Sequence, residues 1–359
     1  RLVFVLVETR EGERRVDLVR WTSDPAAASR APVPDTAGAT LFTAVPCGEG
    51  ACLAVAKGGD RAQTEHIAVV RLDAAGTATA PTVEIAAPAG LVRALLLFPE
   101  VASTDATDGG APDPGPIDLI IQTCTGCDAI TYENYEGTIY QTTTRFIHIA
   151  LPPAGPVGEA VVLRERPTFA DGAVALPTAG GGLVLFWELA ADTAPACHAQ
   201  GHCDLTRELR AAEFDRATGE LTDGPAIATS ALAQARALVS DGAAPWALWR
   251  TDHPDDPWRR TLAAGRLNAD LEVEAPIGAL AQTFAARLLI DAFTGSPAVL
   301  PFDGLAELAA APAAPDGVWL AMRFRDVPFP GQASACSGPG RAGRSEEHTS
   351  ELQSPRCIS

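Results

Sequence analysis

The stretch His66-Ile-Ala-Val-Val-Arg-Leu-Asp-Ala-Ala-Gly76 is the most informative segment of this 359-residue chain. An apolar run of strand length is followed at once by Asp73 and, three residues later, by Gly76. Aspartate tolerates turn conformations and glycine supplies a positive φ, so the stretch predicts a strand that ends in a hairpin turn. The same order recurs in Glu213-Phe-Asp-Arg-Ala-Thr-Gly219 and, without the glycine, in Gly265-Arg-Leu-Asn-Ala-Asp-Leu271.

Short apolar or alternating runs, separated by Gly, Pro, Asp and Asn, fill most of the remaining sequence. Their lengths and period-two alternation are typical of strands, and the frequent Pro and Gly leave no room for long helices. Two further hairpins are predicted within residues 168–188 and 236–250. The sequence therefore predicts an all-β fold. The predicted strands include Val16–Trp21, His66–Leu72, Ile117–Ile121, Thr144–Ile149, Gly182–Trp187, Pro245–Trp249 and Val318–Phe324.

The hairpin turns recur with a spacing that indicates a repeat. Asp215 and Asn268 lie 53 residues apart, and the 142 residues from Asp73 to Asp215 match three such units once insertions are allowed for. Four-stranded units of about 40 to 50 residues are typical of β-propeller blades. By this periodicity the chain resembles divergent bacterial β-propellers. The resemblance implies about six to seven blades within residues 1–330, incomplete at one or both ends. The alternative is a pair of β-sandwiches split near residues 152–156.

The two ends of the chain do not have the character of natural termini. The chain begins at Arg1, directly before the strand-like run Leu2–Glu8. We therefore expect this start to be a truncated or processed end. Residues 331–343 are rich in Gly, Pro and Ser and are interpreted as a linker. Residues 344–359 resemble the translation of a widely used short-read sequencing adapter. We expect this tail to be non-native and to carry no function.

Composition excludes several classes of protein. The chain has 45 acidic and 27 basic residues, for a net charge of −18, which argues against binding of a nucleic-acid backbone. It has no run of about 18 apolar residues, so no membrane-spanning helix is predicted. Because 47% of the residues are hydrophobic and 20% are charged, the chain is expected to fold around a core. We also expect a monomer.

Six of the eight cysteines fall in three close pairs, each bracketing turn sequence that contains glycine. A local disulfide fits each pair and would stabilise the fold by about 2 kcal/mol. Disulfides persist in oxidising compartments, so the sequence predicts an extracytoplasmic protein: periplasmic, secreted or on the cell surface. Cys336 has no evident partner. The pairs are Cys47 with Cys52, Cys124 with Cys127, and Cys197 with Cys203.

A zinc site is the alternative for the third pair. Cys197, His198, His202 and Cys203 supply four donors within seven residues. Adjacent Cys and His side chains rarely both point at one tetrahedral ion, so the disulfide is favoured and no metal or other cofactor is predicted.

Candidate catalytic residues are concentrated in Thr251-Asp-His-Pro-Asp-Asp-Pro-Trp258. Asp252, His253, Asp255 and Asp256 combine carboxylates with an imidazole, as acid–base catalysis requires, although a turn explains the same composition. A second acidic set, Asp105, Asp108, Asp113 and Asp118, has the oxygen ligands that calcium prefers but lacks the spacing of a known calcium loop, so a solvated loop is favoured.

The preferred hypothesis is an exported bacterial β-propeller that acts as a binding or scaffold module for an unknown protein or carbohydrate. It rests on strand periodicity, local cysteine pairs, acidity and the lack of a nucleophile elbow, P-loop or dinucleotide motif. One alternative is a propeller hydrolase or lyase that uses loop carboxylates. Another is a structural domain of a longer surface protein.

Overall fold

The structure of the protein is a computed structural model. It describes residues 2–9, 12–20, 29–58, 64–100, 115–127, 142–153, 155–190, 196–197, 203–204, 206–230, 233–240, 244–253, 256–284, 286–290, 297–301, 305–313 and 317–324. For some of these the backbone alone is described: residues 2–3, 196–197, 203–204, 252–253, 256–261, 275–284 and all of those from 286 onward. Cys336, the linker 331–343 and the tail 344–359 lie outside the described residues.

Every regular element in the described part of the chain is a β-strand. Sheet 1 contains β1 (Leu2–Glu8), β2 (Arg14–Arg20) and β3 (Ser29–Pro32). Sheet 2 contains β4 (Ala39–Cys47), β5 (Gly50–Lys57), β6 (His66–Leu72) and β7 (Val83–Ala86). Sheet 3 contains β8 (Leu91–Pro99), β9 (Ile117–Thr125), β10 (Thr143–Leu151) and β11 (Val161–Arg166).

The remaining strands follow in chain order. β12 (Ala170–Thr178) and β13 (Gly181–Leu189) precede a short ladder of β14 (Ala196–Cys197) and β15 (Cys203–Asp204), and then β16 (Arg207–Asp215) and β17 (Glu220–Ser230) complete sheet 4. Sheet 5 contains β18 (Gln234–Ser240), β19 (Pro245–His253), β20 (Asp256–Leu267) and β21 (Val273–Phe284). Two further pairs are β22 (Ala286–Ile290) with β23 (Pro297–Pro301), and β24 (Leu305–Ala313) with β25 (Gly317–Phe324).

The fold is all-β and propeller-like, as the sequence predicts. In each of the four complete sheets of the described part, antiparallel strands lie side by side in chain order, which is the arrangement of a propeller blade. The chain divides into two compact units, Arg1–Thr229 and Ser230–Ser359. Sheets 1 to 4 form the first unit, and sheet 5 with the two strand pairs belongs to the second.

The core of the first unit lies between successive sheets. Leu95, Leu97 and Leu119 of sheet 3 pack against sheet 2, whereas Leu96 and Phe98 on the opposite face of sheet 3 pack against sheet 4. Sheet 3 is therefore buried on both faces. This excludes the alternative of two β-sandwiches, whose sheets each keep one solvated face, and the segment 152–156 connects two strands of one sheet instead of two domains.

The hairpin turns have the conformation that their sequences predict. Gly76 and Gly219 adopt positive φ angles of 74° and 70° at the β6–β7 and β16–β17 turns. In the copy that lacks the glycine, Leu271 takes the left-handed conformation instead, with φ 60°. The Asn268 side chain supports this turn by accepting hydrogen bonds from the backbone N–H groups of Asp270 and Glu272, at 3.0 and 2.9 Å.

The repeat length inferred from these turns needs a correction. Asp73 follows β6, the third strand of sheet 2, and Asp215 ends β16, the third strand of sheet 4. The 142 residues between them therefore correspond to two successive sheets and not three. Long insertions explain the difference, since residues 101–114, 128–141 and 191–205 separate strands within sheets 3 and 4. The predicted number of six to seven blades remains a prediction.

Candidate functional site

A β-bulge recurs at the start of the first strand of every complete sheet in the described part. The strand register shifts between Ala39 and Leu41, Val92 and Ala94, Asp171 and Val174, and Ala235 and Ala237. A bulge inserts an extra residue and redirects the side chains around it. The effect is visible in β8, where Val92 packs on sheet 2 and Ala94 packs on sheet 4 although ordinary alternation would place them on one face.

The bulges of the first unit border a cavity of about 520 Å³, which we call the strand-start cavity. This volume is typical of a small-molecule site. All four sheets of the first unit contribute to its lining. Sheet 1 contributes its β1–β2 hairpin, sheet 2 the start of β4 and the loop before β6, sheet 3 the start of β8, and sheet 4 the start of β12. The lining residues are Leu6, Glu8, Arg14, Thr40, Leu41, Thr64, Leu91, Val92, Arg93 and Asp171.

One ion pair of the cavity joins two sheets. Arg93, the bulged residue of β8, donates from Nε to Asp171 Oδ1 of β12 at 3.1 Å, and its Nη2 bonds Asp171 Oδ2. The Arg93 guanidinium also lies 5.5 Å from the centre of the Phe169 ring. The Gly172 N–H donates to Asp171 Oδ1 at 2.7 Å, so the carboxylate is fixed by hydrogen bonds from both Arg93 and Gly172. This bidentate pair is a fixed part of the cavity wall.

A second, looser ion pair lies in the β1–β2 hairpin. Arg14 Nε is 3.3 Å from Glu8 Oε2. The Glu8 side chain is 59% exposed and the Arg14 side chain 22% exposed, so the pair can separate when a ligand replaces one partner. Its contribution to stability is small, as for most exposed pairs.

The lining is therefore charged but close to neutral overall. Two guanidinium groups face two carboxylates, Thr40 and Thr64 add hydroxyl groups, and the remaining residues are aliphatic. None of the lining residues in the described part is aromatic or a histidine. The arrangement can bind a small polar molecule, and each of its two carboxylates is engaged by an arginine.

The predicted catalytic residues lie in the second unit, at the β19–β20 hairpin. Asp252 and His253 end β19, and Asp256 begins β20 with its backbone paired to His253. Asp255 lies outside the described residues, and the side chains of the other three are not described. The acid–base hypothesis for these residues remains a prediction.

Two of the three predicted cysteine pairs lie at disulfide distance: the Cα atoms are 5.4 Å apart in Cys47 and Cys52 and 5.8 Å apart in Cys124 and Cys127. The third pair is described by its backbone alone. Cys197 and Cys203 are directly opposite in the β14–β15 ladder, a position in which antiparallel Cα atoms lie within disulfide distance. His198 and His202 lie outside the described residues, so the zinc alternative remains untested. Elsewhere in the described part, no three His, Cys, Asp or Glu residues are grouped to hold a metal ion.

A second charged cluster lies at the opposite end of sheet 3. Asp118, at the start of β9, has Oδ1 2.8 Å from His148 Nε2 and Oδ2 2.5 Å from Arg216 Nε. Arg216 also donates to the carbonyl of Phe98 at 2.6 Å, so the cluster joins sheets 3 and 4. Asp118 is thus committed to protein partners and is unavailable to calcium, while Asp105, Asp108 and Asp113 lie outside the described residues.

The pKa of Asp118 is held below its ordinary value of 3.8. Burial acts to raise this pKa, but hydrogen bonds from His148 and Arg216 and the positive charge of Arg216 outweigh burial. Charged Asp118 therefore links two sheets, and we interpret this cluster as one that stabilises the fold and does not bind a ligand.

Sequence reasoning missed the residues of the strand-start cavity. One signal was present: Val92-Arg-Ala-Leu95 and Ala235-Arg-Ala-Leu238 share an Arg-Ala-Leu segment, and in both the arginine is the bulged residue. Because β8 and β18 are each the first strand of a four-stranded sheet, the repeated segment marks structurally equivalent positions. The partners Glu8, Arg14 and Asp171 carry no comparable pattern.

Comparisons with known proteins assign no family to this chain. No protein-family model matches the chain, and no curated protein matches it. A puromycin-hydrolyzing peptidase of Mycobacterium tuberculosis aligns with TM-score 0.39 and 12% identity over 90% of this chain and 50% of that structure. An ACO/RPE65 chimera aligns with TM-score 0.34 and 12% identity over 89% of this chain and 64% of that structure. This chain thus spans half to two thirds of their length, and similarity at this level says nothing about its activity. Helices able to cross a bilayer are absent from the described residues.

We expect Asp118→Asn to lower the free energy of unfolding by about 2 kcal/mol at neutral pH, because Arg216 loses its charged partner. A carboxylate with a lowered folded-state pKa stabilises fully above its ordinary pKa, and this contribution is lost as the pH falls through the folded-state value. In urea unfolding, the difference between the natural chain and the variant should begin to shrink below about pH 5 and continue to shrink as the pH falls through the lowered folded-state pKa. Glu165→Gln, which removes an exposed pair with Arg145, is the control and should change little. A difference that stays constant with pH would contradict the assignment.

We expect two reactive thiols in unfolded, unreduced protein, because three disulfides would leave Cys336 and Cys357 free among the eight cysteines. Thiol titration in denaturant gives the count, and Cys197→Ser should raise it by one. Four thiols would contradict the third disulfide, six would leave a single disulfide, and eight would contradict all three.

Proposed function

We propose that this chain is an extracytoplasmic β-propeller-like binding module whose ligand site is the strand-start cavity. The observation that carries the proposal is the repeated bulge. It places Thr40 and Arg93 at the cavity from two different sheets, and the Arg93–Asp171 pair brings in a third. Polar groups that converge from separate rigid elements on a concave site are typical of ligand binding.

Binding is favoured over catalysis because of how the charges are paired. The Asp171 carboxylate accepts from Arg93 and from Gly172, and the Glu8 carboxylate accepts from Arg14. Groups that are already neutralised position a ligand well but transfer protons poorly. The hydrolase or lyase alternative, which would use Asp252, His253, Asp255 and Asp256, has no comparable support among described side chains.

The proposed location follows from the disulfides. Cys47–Cys52 and Cys124–Cys127 require an oxidising compartment to persist, and Cys52 and Cys124 are fully buried within the sheets. Both bonds lie in the first unit and close short loops, so they support export without bearing on the ligand.

A thermal-shift screen tests the binding function. The probes are free amino acids and dipeptides, mono- and disaccharides, nucleotides, and inorganic phosphate. We expect at least one class to raise the Tm of the chain, because a ligand that binds the native state alone stabilises it. Thr64→Trp, which places a large side chain in the lining, should abolish the shift.

The matched control is Glu65→Trp, because Glu65 is the exposed neighbour of Thr64 and is not part of the lining. It should keep the Tm shift of the natural chain. The proposal is contradicted if no class raises the Tm, or if the shift persists in Thr64→Trp.

A further inference from the structure

We propose that the strand-start cavity recognises a short zwitterionic peptide, whose carboxylate binds Arg14 and whose ammonium group binds Asp171. The inference rests on the proposed binding function of the same cavity and adds the chemical class of its ligand.

The charge balance of the cavity selects a neutral ligand that carries both signs. A phosphate or other simple anion would meet the Glu8 and Asp171 carboxylates, and a simple cation would meet Arg14 and Arg93. A sugar can hydrogen-bond to these groups through its hydroxyls, but it carries no charge and so forms weaker bonds with them than a charged group does. A zwitterion supplies one charge to each side of the cavity and leaves its net charge unchanged.

The two ion pairs differ in a way that assigns the ends of the ligand. Arg14 donates from Nε and Nη2 to one oxygen of an exposed glutamate, at 3.3 and 3.4 Å, which leaves Nη1 to donate to a ligand carboxylate. Asp171 is the less exposed of the two acids, at 23% against 59% for Glu8. Oδ1 of Asp171 already accepts from Arg93 and Gly172, whereas Oδ2 accepts from Arg93 alone and can take an ammonium hydrogen bond while Arg93 remains in place. Partial burial strengthens that bond.

The strands around the cavity present free backbone groups. β4, β8 and β12 are each the edge strand of their sheet and pair on one side only in the described part of the chain. Backbone N–H and C=O groups on an edge strand bind the amide of an extended peptide, as in β-strand addition. An amide between the two charged ends is what a peptide provides.

The uncharged lining fits small aliphatic side chains. Leu6, Leu41, Leu91 and Val92 supply apolar contacts, whereas the described lining offers no aromatic ring on which a nucleobase could stack. Leu6 is 42% exposed although it is large and apolar, so it has surface to bury against a ligand.

Isothermal titration calorimetry with three forms of one dipeptide tests the inference: Ala-Leu, N-acetyl-Ala-Leu and Ala-Leu-amide. We expect Ala-Leu to bind about tenfold more tightly than either capped form, because each cap removes one charge-assisted hydrogen bond. Arg14→Gln should abolish the preference over the amide and keep the preference over the acetylated form. Asp171→Asn should do the reverse.

Arg145→Gln is the control, because it removes a charge pair of sheet 3 that is not part of the lining, and it should bind like the natural chain. Arg14→Gln keeps the test valid if Asp171→Asn fails to fold, since the Arg14–Glu8 pair lies within a single hairpin. Equal binding of all three forms would overturn the inference. If Ala-Leu fails to bind while a disaccharide or phosphate binds and is lost in Thr64→Trp, the peptide is wrong and the binding function stands. If no probe binds, the binding function itself fails.

Discussion

The structure depends on the burial of sheets 2 and 3 on both of their faces. Each of these sheets packs on a neighbour at either side, so runs of successive residues in β5, β8 and β9 are apolar and inaccessible to solvent, as in Leu119–Ile121. Leu96, Leu97, Ile120 and Ile121 are all at most 2% exposed. Because both faces are committed to packing, most of the polar groups lie at strand ends, in loops and on edge strands, and Gln122 and Thr123 in the middle of β9 are buried exceptions.

That confinement explains where the charged groups are. At one end of sheet 3, Asp118 links His148 and Arg216 and ties two sheets together. At the other end, the bulge in β8 turns Arg93 away from the core and toward Asp171 and the cavity. The two clusters use similar side chains, but the first is closed by protein partners whereas the second borders an open volume.

Local sequence was enough to predict the strands and turns, because each depends on neighbouring residues. The alternation in 66–72 predicts β6, and Asp with Gly predicts the hairpins that end sheets 2 and 4. The number of sheets between Asp73 and Asp215 was misjudged, because long insertions have no signature in a periodic count. The cavity was missed because it depends on four sheets at once: Arg93 and Asp171 are 78 residues apart and meet through packing that no local pattern encodes.

The central claim is that the bulged starts of the first strands and the β1–β2 hairpin together form a site for a small charged ligand. A crystal structure of the chain grown with Ala-Leu tests it most directly. The account predicts the dipeptide in the strand-start cavity, with its carboxylate at Arg14, its ammonium group at Asp171 and the Arg93–Asp171 pair intact. A cavity filled by the protein's own side chains, or a dipeptide bound elsewhere with the cavity empty, would contradict it.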